Sequence, residues 1–327
     1  MNTIDVINLT KKFDDFTAVN NINLQVKEGE IFGLLGPNGA GKSTTISMLC
    51  TILKPTSGTA LINGLDILKE PKEVRKSIGI VFQDPSIDDK LTGRENLELH
   101  ANLYDVPRDV MHSRIDEVLE LVELDDKASN YVNTYSGGMR RRLEIARGLI
   151  HHPKVLFLDE PTIGLDPQSR EHIWDYIKDL RELKNITILL TTHYMEEADR
   201  LCDRIAIMDL SRIIAMDTPI NLKKCLHTGV IVLNTDKNEL FASQLSKTDL
   251  VKDITYQSGN LNLSVDDPHT TLPRIVEFGI SAGIYIKSIS IVEPNMEDVF
   301  IHYTGKEIRE DDVRFTGISA KKRRKIR

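Results

Sequence analysis

Eight residues near the start of the chain have the types and spacing that bind nucleotide phosphates. Residues 36–43 read Gly-Pro-Asn-Gly-Ala-Gly-Lys-Ser and match the P-loop pattern G-x-x-x-x-G-K-[ST]. Glycines let backbone N–H groups approach phosphate oxygens closely. Lys42 would place its ammonium between the terminal phosphates, and the hydroxyl of Ser43 would bind Mg²⁺. The predicted phosphate-binding residues are Gly36, Pro37, Asn38, Gly39, Ala40, Gly41, Lys42, Ser43 and Thr44.

Two acidic residues follow an apolar run further along the chain. Residues 155–158 read Val-Leu-Phe-Leu, which is typical of a central parallel strand buried on both faces. Asp159 and Glu160 come directly after it; Asp159 could hold Mg²⁺, and Glu160 could polarise an attacking water. The alternative is that the two acids cap a helix or form surface salt bridges. In a chain that also has a P-loop, catalysis is the favoured interpretation.

Two more polar residues, Gln83 and His193, follow apolar runs that are predicted to be buried strands. Gln83 follows residues 78–82, and His193 follows residues 186–192. In open α/β sheets ligands bind at the carboxyl ends of the strands, so both side chains could reach a nucleotide, His193 at its γ-phosphate. Taken alone, a glutamine there is more often a loop anchor and a histidine is more often structural.

Ser136, Gly137 and Gly138 precede a helix that is rich in arginine. Serine is a good N-cap residue, and paired glycines leave N–H groups exposed, so this helix start could bind a second anion. The charged side chains could instead form a solvated helix face, which is the usual role of a run of charges. The arginines in question are Arg140, Arg141, Arg142 and Arg147.

Two aromatic residues, Phe13 and Phe16, lie among charges near the N-terminus. Either could stack on an adenine ring. Either could instead pack into a small N-terminal core, and position alone does not decide between the two.

Strands and helices must hold these residues in place. The P-loop follows an apolar run at residues 31–35, a predicted buried strand, and precedes a helix predicted for residues 44–53. Alternating strands come before it, which suggests an α/β fold with antiparallel strands beside a parallel core. Helical patterns after residue 91 predict a helical insertion at about residues 91–150.

The composition is that of an ordinary globular protein, with 40% hydrophobic and 28% charged residues. The length of 327 residues suggests two domains, and the net charge of −7 argues against a general nucleic-acid binder. We expect no membrane span and no signal peptide, because no run approaches about eighteen apolar residues. The scattered cysteines, three in number, indicate reduced cytosolic thiols.

The last part of the chain has the pattern of a small α+β domain. After a polar link at residues 222–228, the segments read strand, helix, strand, strand, helix, strand, which suggests a ferredoxin-like fold for residues 223–304. The tail at residues 305–327 ends in a basic run at 321–327. This run could touch anionic lipid or nucleic acid, but we interpret it as part of a disordered, solvated tail.

Taken together, the motifs resemble those of the nucleotide-binding subunit of an ATP-binding cassette (ABC) transporter. The resemblance covers about residues 4–220, within a cassette predicted for residues 1–222, and rests on five motifs in the family's order. They are the P-loop, Gln83 as the Q-loop residue, the signature at Ser136–Gly138, the Walker B pair Asp159-Glu160, and the switch histidine His193.

This resemblance also implies roles for single residues. It implies an ATPase that binds ATP and Mg²⁺, with Phe13 stacking on adenine and Asp166 in a D-loop that begins at Gly164. Glu160, His193 and Gln83 would be its catalytic residues. The metal would be held by Ser43, Gln83 and Asp159.

Two motifs depart from the family's commonest pattern. The signature reads Tyr-Ser-Gly-Gly-Met where Leu-Ser-Gly-Gly-Gln is commoner, and the D-loop has Ile-Gly where Ser-Ala is common. Neither change removes the Ser136 hydroxyl or the glycine N–H groups, so phosphate binding should survive. The departures fit exporter ATPases similar to the daunorubicin-resistance type, in which the C-terminal extension would be a regulatory or dimer-supporting module.

The resemblance further implies partners. One chain has one P-loop and one signature, so it should form a homodimer in which the signature of one copy closes over ATP on the P-loop of the other. This cycle would move a separate ABC-2-type membrane permease, with the chain cytoplasmic and peripheral on the inner face of the cell membrane. The cargo is not indicated.

Two other functions are weaker hypotheses. A soluble ABC-type ATPase acting on ribosomes or DNA would normally carry paired cassettes or long insertions, which this sequence does not show. An ATP-binding scaffold without turnover is disfavoured because Glu160 and His193 are both present. We therefore expect no nucleic-acid partner.

Overall fold

The computed structural model describes residues 2–226, 229–257 and 259–305. The chain divides into two compact units, the first ending at Pro219 and the second beginning at Ile220, each with its own hydrophobic core. The charged tail predicted to be disordered lies outside the described residues, except for its first residue, Gly305.

The first unit alternates strands with helices, as an α/β unit does. Its strands are β1 (Asn2–Phe13), β2 (Phe16–Lys27), β3 (Ile31–Leu35), β4 (Ser57–Ile62), β5 (Leu65–Asp66), β6 (Ile78–Val81), β7 (Val155–Asp159), β8 (Thr187–Thr192), β9 (Arg204–Asp209) and β10 (Arg212–Asp217). Its helices are α1 (Lys42–Leu49), α2 (Pro71–Ser77), α3 (Gly93–Leu103), α4 (Arg108–Leu121), α5 (Gly137–Leu149), α6 (Pro167–Lys184) and α7 (Met195–Leu201).

A six-stranded sheet in the order β10-β9-β3-β8-β7-β6 holds the predicted site. Its strands are parallel except for β10, which pairs antiparallel with β9. β3, β7 and β8 are buried along their whole length, which explains why none of them alternates between apolar and polar residues: β3 is apolar throughout, β7 is apolar up to Asp159, and β8 combines apolar residues with threonines.

The remaining strands of the first unit form an antiparallel sheet in the order β2-β1-β4-β5. The turn between β4 and β5 is Asn63-Gly64, whose φ angles of +52° and +80° suit a type I′ hairpin. The predicted fold, with antiparallel strands beside a parallel core, is thus confirmed, and most of the antiparallel strands have a sheet of their own.

Helices α3, α4 and α5 lie within the predicted insertion. α3 begins with a capping box, in which Thr92 and Glu95 each accept a hydrogen bond from the other's backbone N–H. α5 packs on α3, α4, α6 and β6, so this one helix connects the insertion to the central sheet.

Six elements of the second unit follow the predicted order: β11 (Gly229–Thr235), α9 (Asn238–Leu245), β12 (Asp253–Gln257), β13 (Asn260–Val265), α10 (Pro268–Ser281) and β14 (Ile286–Val292). Two helices that were not predicted flank them, α8 (Pro219–Lys224) and α11 (Met296–Thr304). The antiparallel sheet has the order β12-β13-β11-β14, around a core centred on Phe241. Helix α8 occupies part of the segment that was predicted to be a polar link, and that prediction is wrong for Leu222–Lys224.

Candidate functional site

The loop between β3 and α1 packs tightly on two neighbouring strands. A Cβ at Gly36 would lie 2.2 Å from the carbonyl oxygen of Met208 in β9. A Cβ at Gly41 would lie 2.4 Å from that of Ala18 in β2, and Gly41 also has a φ of +104°. Both positions therefore require glycine.

Lys42 turns its ammonium into this loop. Its Nζ donates to the carbonyl oxygens of Gly36 and Pro37 at 2.7 and 3.1 Å and lies 3.5 Å from Oε1 of Glu160. Burial lowers the pKa of Lys42, and the neighbouring carboxylates Glu160 and Asp159 oppose that shift. The structure thus places a buried amine next to the predicted catalytic acid.

Asp159 links the central strands to α1. Its Oδ1 accepts hydrogen bonds from the hydroxyls of Thr191, at 2.5 Å, and Ser43, at 3.1 Å. Burial raises the pKa of Asp159 above its ordinary value of 3.8, although both hydroxyls favour the ionised form. The two predicted metal ligands Ser43 and Asp159 are therefore in direct contact.

Glu160 has a left-handed backbone, with a φ of +48°. Its N–H is fixed by the side-chain oxygen of Thr191 at 3.0 Å and by the backbone oxygen of the same residue at 3.2 Å. Its carboxylate lies between Lys42 and His193. Burial alone would raise the pKa of Glu160, but His193 and Lys42 together lower it below the ordinary value of 4.5.

Two buried polar atoms at this point have no hydrogen-bond partner in the structure. Nδ1 of His193 lies 3.2 Å from Oε2 of Glu160, yet the pair is not aligned for a hydrogen bond and both atoms remain unsatisfied. Together with the ammonium of Lys42 and the oxygens of Ser43 and Asp159, they fit a terminal phosphate with an attacking water and a divalent cation.

Gln83 and Phe13 each follow or end a strand outside this group. Val81 pairs with Leu158, so Gln83 follows β6 at the sheet edge where Asp159 ends β7, and its side chain is exposed. Phe13 is 44% exposed at the end of β1, with Nζ of Lys11 4.9 Å from its ring centroid. Phe16 pairs with it and is more exposed, so neither ring packs into a core.

The signature residues are not part of this cluster. Ser136 caps α5 through a hydrogen bond from the N–H of Met139 at 3.3 Å, and Ser136 and Gly137 are exposed. Asp166 caps α6 by accepting from the N–H and hydroxyl of Ser169, and these bonds lower the pKa of Asp166. Among the described residues, no hydrogen bond or ion pair joins Ser136–Gly138 to the P-loop.

Comparison with known proteins decides the family. Residues 19–163 match the family described as ABC transporter, and residues 218–304 match the one described as ATP-binding protein DrrA1-3-like, C-terminal domain. The linearmycin resistance ATP-binding protein LnrL of Bacillus subtilis is 38% identical over 307 residues, which cover 93% of this chain and 98% of that protein. The chain belongs to the ABC transporter family.

Other relatives and solved structures agree with this assignment. The daunorubicin/doxorubicin resistance ATP-binding protein DrrA of Streptomyces peucetius is 39% identical to this ABC protein, over 92% of each chain. The dimeric structure of MJ0796, a bacterial ABC transporter cassette, matches with a TM-score of 0.60 and 31% identity, over 66% of this chain and 98% of that one. The predicted resemblance to daunorubicin-resistance ATPases and the prediction of an ABC ATPase are confirmed.

Sequence reasoning missed two residues that shape the ABC site. Thr191 contacts both acids, but a threonine inside a strand gives no signal of its own because threonine is common in strands. The sequence offered Arg141 and its neighbours a second anion site or a solvated helix face, yet Arg141 is only 9% exposed.

A cavity of about 830 Å³ lies elsewhere in the cassette. Its lining includes Asn2, Lys154 and Thr187, at the amino ends of β1, β7 and β8, whereas the P-loop follows the carboxyl end of β3. None of the predicted site residues lines it. The predicted phosphate-binding site therefore does not lie in this cavity.

Asp159→Asn is expected to stabilise the nucleotide-free protein at neutral pH. Because the pKa of Asp159 is raised in the folded state, that state binds the proton more tightly, and stability falls as pH rises above about 4. Asparagine does not ionise, so the variant avoids the cost of a buried carboxylate, and its Oδ1 can still accept hydrogen bonds from Thr191 and Ser43. Thermal unfolding from about pH 4 to pH 8 should show that the Tm of the variant exceeds that of the unchanged protein by a margin that grows with pH. Each kcal/mol of difference in the free energy of unfolding should shift Tm by about 2–4 °C.

Asp15→Asn is the matched control, since Asp15 is exposed in the turn between β1 and β2. Its Tm should follow that of the unchanged protein at every pH. A Tm gap for Asp159→Asn that is constant with pH, or negative at pH 8, would contradict the expected effect of burial.

Proposed function

We propose that the chain is the ATP-hydrolysing subunit of an export system whose membrane-spanning part is a separate polypeptide. The ATPase mechanism is supported by one observation, the cluster formed at the P-loop by the buried Lys42 and Glu160 and the mostly buried His193. The export role is supported by the names of relatives, which include linearmycin resistance, daunorubicin resistance and, at 37% identity, Nod factor export ATP-binding protein I of Cupriavidus metallidurans.

Different residues around the P-loop would bind different parts of Mg-ATP. Lys42 and the amides of residues 36–44 would bind the phosphates, and Phe13 would stack on the adenine. Ser43, Asp159 and Gln83 would hold Mg²⁺, directly or through water, because hydroxyl, carboxylate and amide oxygens suit this ion. When bound, the metal would neutralise charge on the phosphates.

Glu160 and His193 would act on the attacking water and the γ-phosphate. The lowered pKa of Glu160 keeps its carboxylate ionised at neutral pH, so Oε2 can accept a proton from water. The water oxygen would attack the γ-phosphorus while the bond to the β-phosphate oxygen breaks, releasing ADP and phosphate. His193, beside Glu160, would contact the γ-phosphate oxygens.

The exposed signature suits a site completed by a second copy. Ser136–Gly138 opens α5 with free N–H groups and the positive end of the helix dipole, which favour an anion. Two copies arranged head to tail would place this helix start over the partner's γ-phosphate and give two ATP molecules per dimer. Asp166, at the start of α6, would lie at the same interface.

The membrane partner follows from the export role. Among the described residues, no helix is both long and apolar enough to cross a bilayer. From the names of the relatives, which are ATP-binding proteins of resistance and export systems, we propose that the chain binds an ABC-2-type permease on the cytoplasmic face of the membrane and that the permease selects the cargo.

Glu160→Gln should leave ATP binding intact and nearly abolish turnover. The amide keeps the size and the contact with Lys42 but cannot accept the proton, so turnover should fall about 10²-fold or more. The ATP-bound dimer should accumulate and be visible by gel filtration. Glu171→Gln, an exposed pair to Arg200, is the matched control. Hydrolysis by Glu160→Gln at the unchanged rate would exclude this role.

Ser136→Asp should separate nucleotide binding from dimerisation. Aspartate caps a helix as well as serine does, so α5 should stay intact, but its charge would face the partner's phosphates. Monomeric ATP binding should be unchanged, whereas the ATP-induced dimer and turnover should fall by about tenfold or more. Ser113→Asp, exposed on α4, is the control, and a normal ATP-induced dimer of Ser136→Asp would argue against the sandwich.

Membrane association should depend on a permease. In the native host, the tagged chain should sediment with membranes when the neighbouring polytopic membrane protein gene is present. Deleting that gene should release the chain into the supernatant. Equal sedimentation in both strains, or none in either, would oppose a permease-bound location.

A further inference from the structure

Arg141 reaches from α5 to the backbone of the catalytic segment. Its Nε donates to the carbonyl oxygen of Pro161 at 2.7 Å, and its Nη1 donates to that of Phe82 at 2.7 Å. Its Nη2 lies 3.1 Å from the carbonyl oxygens of both Asp159 and Glu160. One guanidinium thus bonds four backbone carbonyls.

These four carbonyls belong to the segments that carry the chemistry. Asp159, Glu160 and Pro161 are consecutive at the end of β7, and Phe82 precedes Gln83 at the end of β6. Of these carbonyls, that of Glu160 also accepts from the N–H of Ile163 at 3.3 Å, and buried carbonyls generally need such partners. Arginine suits this place because its planar group has five donors in a rigid fork.

The backbone of Glu160 needs such support. A non-glycine residue in the left-handed region is strained and persists only where its surroundings fix it. On the amide side, Thr191 binds the N–H of Glu160, and on the carbonyl side Arg141 binds its oxygen. These two contacts hold the residue from both ends, so its carboxylate is directed at Lys42 and His193.

A second side chain of α5 binds the loop that contains Gln83, and a third supports it. Glu144, three residues after Arg141 and also buried, accepts from the N–H groups of Ser86 and Ile87 at 2.5 and 3.2 Å. Arg147, three residues later again, pairs with Glu144 at 3.1 Å. The buried polar side of α5 therefore fixes the loop at several points, and Arg141 is the member that also reaches Glu160.

We propose that Arg141 is a positioning residue for hydrolysis: it holds the backbone of Glu160 and of the Gln83 loop in the arrangement that activates water. It makes no contact with the P-loop, so its loss affects the rate of the chemical step and not the binding of ATP. The inference rests on the proposed role of Glu160 and deepens it.

The first test compares Arg141→Met, Arg141→Lys and Arg142→Met. Displacement of a catalytic group by about 1 Å can cost about 10²-fold, so kcat of Arg141→Met should fall by about 10–100-fold while KM for Mg-ATP changes less than about threefold. Arg141→Lys, with three donors, should recover part of the loss. Arg142 donates to the carbonyl of Val122 at the end of α4, so Arg142→Met is the matched control and should keep kcat within about twofold.

The second test asks whether Arg141 acts through Glu160. If it does, adding Arg141→Met to Glu160→Gln should leave the residual rate unchanged, since residues that act as a unit are not additive. If the two losses multiply, if kcat of Arg141→Met equals that of the control, or if only KM changes, the proposal is wrong. Should Arg141→Met fail to fold by circular dichroism, Arg141→Lys replaces it in both tests. Glu160→Gln alone reports on the role of Glu160, so the two failures are distinguishable.

Discussion

The parallel register of β3, β8 and β7 determines where every group of the catalytic cluster lies. Leu35 pairs with Thr192 and Asp159 pairs with Thr191, so the three strands end at one edge of the sheet. The P-loop, the two acids and His193 each begin within a residue or two of that edge. A one-residue slip of a strand would turn its side chains to the opposite face. Because the three strands are completely buried, such a slip would disrupt their packing, and the groups that follow them stay at the same edge.

The site is also balanced electrostatically. Lys42 and Arg141 are nearly buried cations, Asp159 and Glu160 are nearly buried anions, and isolated charges at these depths would be unfavourable. Burial weakens ionisation of Lys42 and Asp159, whereas the contacts of Glu160 with His193 and Lys42 favour its charged form. The two acids are adjacent in sequence, yet the pKa of Asp159 is raised above its ordinary value and that of Glu160 is lowered.

The motifs and the apolar runs allowed much of the fold to be predicted from the sequence. The strands before the P-loop and Asp159 are continuous apolar runs, the strand before His193 consists of apolar residues and threonines, and the order of the strands and the two helices between them in the second unit follows from periodicity. Helix α6 was missed because its start, Asp166, was interpreted only as part of a D-loop, although the residue is an N-cap.

The burial of Arg141 could not have been predicted from sequence. Successive residues of a helix point about 100° apart, so three consecutive arginines cannot share one environment. Arg140 pairs with the exposed Asp89, Arg142 reaches the end of α4, and Arg141 is enclosed. Which of the three is enclosed depends on how α5 packs on the sheet, and this is a property of the tertiary structure.

The left-handed conformation of Glu160 also bears on how such a protein can change over generations. Glycine or asparagine would fit that backbone with less strain, but either would leave the buried ammonium of Lys42 without its carboxylate partner. Backbone strain and charge pairing therefore act in opposite directions at this one position. A laboratory lineage selected only for heat resistance would reveal which of the two is larger, by replacing the acid or by keeping it.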